Sequence, residues 1–90
     1  MKPIRFSQHA ERRALLRGAT EEEIRETLTT EPREPARRGK WQARRRFTYQ
    51  GRSPIDGKRY NEKTVEVIFA DEPEEVVVVT VKVYYSGAEE

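Results

Sequence analysis

The spacing of apolar residues changes character about a third of the way along the chain. Ile4-Arg5-Phe6 is a short stretch of strand-type residues. Ser7 then stands where a helix N-cap belongs, its hydroxyl able to accept from a free amide of the first turn. A run rich in Ala, Leu, Arg and Glu continues to about Arg17, and Gly18 supplies a left-handed stop. Thr20-Glu21-Glu22-Glu23 has the form of a capping box, with Thr20 and Glu23 each able to satisfy the other's amide. Its acids also suit the positive end of a helix dipole. Ile24 and Leu28, one turn apart, form the buried stripe of a second helix that should end near Thr29.

Residues 31–39 carry two prolines and a glycine with no periodicity, and pass the chain from helices to strands. From Lys40 to Gln50 the pattern alternates. Trp41, Ala43, Arg45, Phe47 and Tyr49 fall on one face, with Gln42, Arg44, Arg46 and Thr48 on the other. Residues 51–61 include the turn sequence Ser53-Pro54-Ile55-Asp56-Gly57. Alternation resumes over 64–70, with Val65, Val67 and Phe69 facing together, and the acidic 71–75 segment reads as a hairpin loop. The last strand, 76–85, is the most apolar. Val77, Val79, Val81, Val83 and Tyr85 are expected on its core face, with Val76, Val78, Thr80, Lys82 and Tyr84 opposite.

Helices followed by strands indicate an α+β fold. The pattern predicts a short N-terminal strand, two helices, then a three-stranded antiparallel β-meander with the helices on one face. At 90 residues the chain has room for one domain. Within it, 1–6 reads as an edge strand, 7–29 as a helical hairpin, 40–85 as the sheet and 86–90 as a flexible tail. The opposite sheet face is left open, with space for Arg and Lys side chains in a shallow groove.

Composition excludes several classes of chemistry. There is no cysteine and one histidine, so neither disulfides nor a protein-only transition-metal site is expected, and no cofactor motif is present. A P-loop, a dinucleotide fingerprint, HExxH and a Ser-His-Asp order are all absent. No apolar run approaches membrane-spanning or signal-peptide length, which makes a cytoplasmic protein with no membrane partner the expectation.

The net charge of +2 conceals a strong separation along the chain. Residues 33–63 hold 11 Lys and Arg against three acids, a surplus of +8, while the remainder is acidic. A middle segment this basic points to an anionic partner, RNA or another polyanion first and an acidic protein second. The competing explanation is a thermophile-like surface, with Arg and Glu abundant and thermolabile residues scarce.

His9, Arg13 and Arg17 lie one turn apart on a single stripe of the first helix. With Gly18 following, the segment Phe6-Ser7-Gln8-His9-Ala10, then Arg13, then Arg17-Gly18-Ala19-Thr20, then Glu23-Ile24, resembles the signature of the domain of unknown function 4258 family. Two departures are Ala19, where that family tends to carry a branched apolar residue, and the long loop over 51–61. The family is similar in outline to the RelE/ParE-like toxins. The resemblance implies two helices on an antiparallel sheet and RNA as the target. It also implies either metal-independent cleavage or a toxin-type domain held by an acidic antitoxin-like protein.

Metal-free RNA cleavage requires a base for the 2′-hydroxyl, an acid for the departing oxygen and cations for the charged phosphorane. His9 is the one side chain that ordinarily titrates near neutrality. Lys82, Tyr84 or a glutamate is then the second proton carrier, and Arg46 a phosphate clamp. The structural alternative is that His9 simply fixes the helix start. Arg37, Arg38, Lys40, Arg44 and Arg46 form the expected phosphate-binding surface, joined by Arg13 and Arg17 unless these pair with Glu21 or Glu22. Trp41, Tyr49 and Tyr60 are either base-stacking platforms or core and rim residues. Arg45 sits among apolar residues, which a strand-end position, a bulge or an ion pair with Glu66 would explain.

Overall fold

The computed structural model describes residues 2–88, so Glu89 and Glu90 of the expected tail lie outside the described residues. The elements are β1 (Ile4–Phe6), α1 (Gln8–Arg17), α2 (Glu21–Thr30), β2 (Glu34–Pro35), β3 (Trp41–Arg52), β4 (Arg59–Asp71) and β5 (Val76–Ala88). The class is α+β, as the pattern indicates. The sheet is larger than a three-stranded meander, with five strands in the order β1-β5-β4-β3-β2. β1 pairs parallel with β5, joining the first and last elements, and the two-residue β2 borders β3. β5 continues through Ala88, so residues 86–88 belong to the sheet and not to a tail.

Both helices are set by their caps. Ser7 accepts from Ala10 N–H at 3.0 Å, and Gly18 closes α1 with φ 85° and its N–H on Ala14 O. Thr20 and Glu23 form the reciprocal capping box at 3.1 and 2.9 Å. Caps of this kind contribute about 1 kcal/mol each.

The helices cover one sheet face. Ala10, Ala14, Ala19 and Ile24 meet Ala43, Val65, Val67, Phe69, Val76, Val78, Val81 and Val83, all buried. Thr27 is fully buried beside Ile24 and bonds back to Glu23 O, while Leu28 is only partly buried. Each fully buried valine stabilises by about 1.5–3 kcal/mol.

The core face of β5 differs from the simple alternation. Ile68 pairs with Thr80 but Phe69 pairs with Val78, which leaves Val79 as an extra residue. One extra residue reverses which side chains face the core. Val76 and Val78 are therefore inside before the bulge, and Val81 and Val83 after it. The bulge falls where β1 gives way to α1, with Ser7 donating from its N–H to Val78 O and from its Oγ to Val79 O.

The candidate nucleic-acid interface

Antiparallel register places the open face of β3, β4 and β5 in rows. Gln42, Ile68 and Thr80 make one row, then Arg44, Glu66 and Lys82, then Arg46, Thr64 and Tyr84. This face brings together Arg44, Arg46, Lys82 and Tyr84, expected there from alternation. His9 joins them from the sheet margin, its Nε2 3.1 Å from Thr80 Oγ1.

The helix stripe that carries His9 also closes the outer edge of β5. Beyond the reach of β1, Arg17 donates to Val81 O at 3.0 Å, so Arg17 pairs with neither Glu21 nor Glu22. Glu21 is held instead by Arg25 at 2.8 Å. Arg13, on the same stripe, has no hydrogen bond or ion pair among the described residues. Covering an exposed strand edge is a structural service that Arg17 performs here. His9 remains exposed, with one ring nitrogen at Thr80.

The carboxylates in the same rows temper the charge of the open face. Glu66, 7% exposed, lies between Arg44 and Lys82 in register, and its Oε2 is 3.3 Å from Arg44 Nη2. Arg46 reaches Glu62 at 3.6 Å. Lys82 has no ion pair among the described residues. The same is true of Arg37, Arg38 and Lys40, which a tight turn gathers at one end of the sheet. In that turn Arg38 and Gly39 have φ 58° and 72°, and Lys40 N–H bonds Arg37 O. Positive φ suits Gly39 but is uncommon for an arginine.

A concavity of about 290 Å³ opens on this face, lined by Ala36, Arg37, Gln42, Ile68, Thr80 and Lys82. Farther along, Lys82 and Tyr84 border a second, more open hollow with Arg17, Val83 and the exposed Ile55. The four residue steps from Thr80 to Tyr84 span about 13 Å of strand. His9 and Arg46 therefore face different stretches of anything bound along β5. Of the expected catalytic residues, only Lys82 follows in the row next to His9.

Other members of the basic segment serve the opposite face. Arg45 lies on the helix side and binds Glu31 at 2.5 Å and Glu26 at 3.2 Å, so none of the three explanations drawn from the sequence holds. Its guanidinium is held in the charged form chiefly by the hydrogen bond to Glu31. Trp41 is also on the helix side, partly buried against the core with Arg33 5.3 Å above its ring. Tyr49 and Tyr60 pack around Tyr85, with ring centroids 5.2 and 5.7 Å away. Trp41 and these two tyrosines are thus core and rim groups, apart from the open-face rows.

Lys63 belongs to the basic segment of the sequence, yet it is buried, 4% exposed, against Glu23 and Gly18 O. Gln42, Ile68 and Thr80 were legible as members of the open face. Their assembly into one concavity depends on cross-strand register and on the turn that brings Arg37 alongside, which alternation within each strand does not specify. Among the described residues no cluster of His, Cys, Asp or Glu is arranged to hold a metal ion, and no helix is long and apolar enough to cross a membrane. Comparison with protein-family models, curated proteins and solved structures finds no match.

Proposed function

We propose that this chain is a small cytoplasmic RNA-binding protein, similar in outline to the RelE-like toxins, whose open sheet face tracks the phosphates of a single strand. The observation that carries this reading is the grouping of cations on the one face the helices leave uncovered. Arg44, Arg46 and Lys82 lie on it and Arg37 at its end, with Lys82 and Arg37 unpaired among the described residues. Tyr84, 53% exposed in the same row as Arg46, offers a ring on which an unpaired base can stack. Binding of this kind releases counterions, so each phosphate contact adds about −0.7 to the log–log salt slope.

A second reading, metal-independent cleavage, is favoured by the neighbouring positions of His9, at Thr80, and Lys82. His9 would draw the proton from a 2′-hydroxyl. Lys82 would neutralise the adjacent phosphate and return a proton to the leaving oxygen. Arg46 would then hold a neighbouring phosphate of the strand, with Tyr84 beside it.

Both readings are tested with mixed single-stranded RNA in chelator. Wild-type protein is compared with His9→Ala, Arg46→Ala and Lys82→Ala by binding and by gel. Binding that weakens with salt and in the Arg46 and Lys82 variants is expected. Fragments produced by wild type and lost in His9→Ala would add cleavage, and intact RNA would remove it. Absent or salt-insensitive binding would sink the RNA reading and leave an acidic, antitoxin-like protein as the partner.

A further inference from the structure

We infer that the concavity at the His9 end of the open face seats one unpaired nucleobase of the bound RNA and reads its edge through Gln42. This rests on the RNA reading of the face and adds a site of base selection to it. The lining supplies what a base requires. Ile68 provides an apolar floor in the middle strand, and Gln42 and Thr80 stand on either side of it in the same cross-strand row. Gln42 is half-buried, and its side-chain amide makes no hydrogen bond to any described residue. It presents a donor and an acceptor in one plane, the complement of a base edge. Thr80 adds a hydroxyl already oriented by His9 at 3.1 Å.

Charge at the two ends matches a nucleotide as well. Arg37 and Lys82 line the concavity and are unpaired among the described residues, so they can take the phosphates flanking the seated base. Glu34 is Gln42's neighbour in register on the edge strand β2, but it is not part of the lining. The volume of about 290 Å³ lies at the small end of the range for small-molecule sites, enough for one ring system and too little for a folded element.

The experiment measures affinities of four octamers, oligo(A), oligo(C), oligo(G) and oligo(U), for wild type and Gln42→Leu at one salt concentration. The expected result is a spread of about fivefold or more among octamers for wild type. In Gln42→Leu the spread should shrink to about twofold, chiefly through weaker binding of the preferred octamer. Shifts of the Gln42 side-chain amide resonances on adding the preferred octamer, but not on adding polyphosphate, give a second readout in unmodified protein. Equal affinities for all four octamers, or a spread that survives Gln42→Leu, overturn the base site and leave the phosphate surface standing. Failure of every octamer to bind overturns the RNA reading itself.

Discussion

Lys63 and Glu23 form an ion pair of 2.8 Å beneath the corner between the two helices, with side chains 6% and 20% exposed. The same ammonium donates to Gly18 O at 2.7 Å and lies 5.1 Å from the Tyr49 ring centroid. The same Glu23 oxygen accepts from Thr20 N–H, so the capping box of α2 and the central strand β4 share one carboxylate. A buried charge is tolerable only when paired and hydrogen-bonded, and here every partner belongs to the corner or its surroundings.

Replacing Lys63 with methionine should therefore destabilise the protein by about 2–3 kcal/mol, since Glu23 keeps Thr20 N–H and some solvent but loses its cation. Glu23→Gln preserves the capping geometry while removing the charge. Denaturant unfolding of both single variants and the double variant should return a coupling of about 1–3 kcal/mol. Additive single effects would show that the pair is incidental to the corner.

Tyr85 closes the same corner from β5, donating to Arg17 O at 2.6 Å. A Cβ at residue 18 would collide with its hydroxyl and stand 3.1 Å from Pro54 Cγ, so Gly18 is required here for space as well as for φ 85°. Gly18→Ala should cost about 2 kcal/mol or more. Tyr85→Phe, which leaves the Arg17 carbonyl without this donor, should cost about 1–2 kcal/mol. Both are read from urea midpoints.

The Tyr85 hydroxyl is pushed up to about 12, first by burial and then by the charges of Tyr49 and Glu23. In the unfolded chain it ionises near the usual value of about 10. The native state therefore holds the proton longer, and stability falls as pH rises from about 10 to 12. Tyr60 is raised too, first by its hydrogen bond to Asp56, so Tyr85→Phe is needed to assign the late phase of tyrosinate absorbance. Loss of part of that late phase is expected, and an unchanged titration would contradict the assignment.

At the other end of the sheet, the sign of the pH effect is opposite. Hydrogen bonds from Lys2 and Arg33 hold Asp71 below the usual carboxylate value, and the hydrogen bond from Arg5 does the same for Glu75. Their contribution is complete above the unfolded values of about 4 and is lost as pH falls through the lower native ones. These pairs tie β1 and the segment before β2 to the β4–β5 hairpin. Protection of the β1–β5 amides from hydrogen exchange should thus decline below about pH 4, and Asp71→Asn should flatten that decline.

The parts of the fold legible in the sequence were those set by neighbouring residues. The Ser7 cap, the Gly18 stop and the Thr20–Glu23 box depend on residues three or four apart, and all formed as read. Alternation from Trp41 to Tyr49 likewise gave the correct faces, and so the open-face positions of Arg44 and Arg46. What failed was long-range pairing. The bulge at Val79 arises where β1 and Ser7 meet β5, more than 70 residues away in the chain. Arg45 looks anomalous in the sequence because its partners Glu26 and Glu31 lie on α2 and just past its end, packed over the strand. Lys63 carried a usable signal, because extending the Val65, Val67, Phe69 pattern backward by two residues places it on the covered face.

Glu66 offers a gain-of-function test of the open face. Its carboxylate sits in register between Arg44 and Lys82 and holds Arg44 at 3.3 Å, so the arginine's charge is partly spent within the sheet. Glu66→Gln keeps the side chain's shape and removes the negative charge from the middle of that row. If phosphates run along these rows, the variant should bind single-stranded RNA more tightly at low salt, and its log–log salt slope should steepen by about 0.7 for one additional phosphate contact. Arg44→Ala in the Glu66→Gln background should reverse the gain, because the freed cation is then absent. An affinity unaffected by Glu66→Gln would place the phosphate path away from Arg44. A gain that survived Arg44→Ala would assign the released field to Lys82 alone, which shares the row and has no carboxylate partner of its own among the described residues.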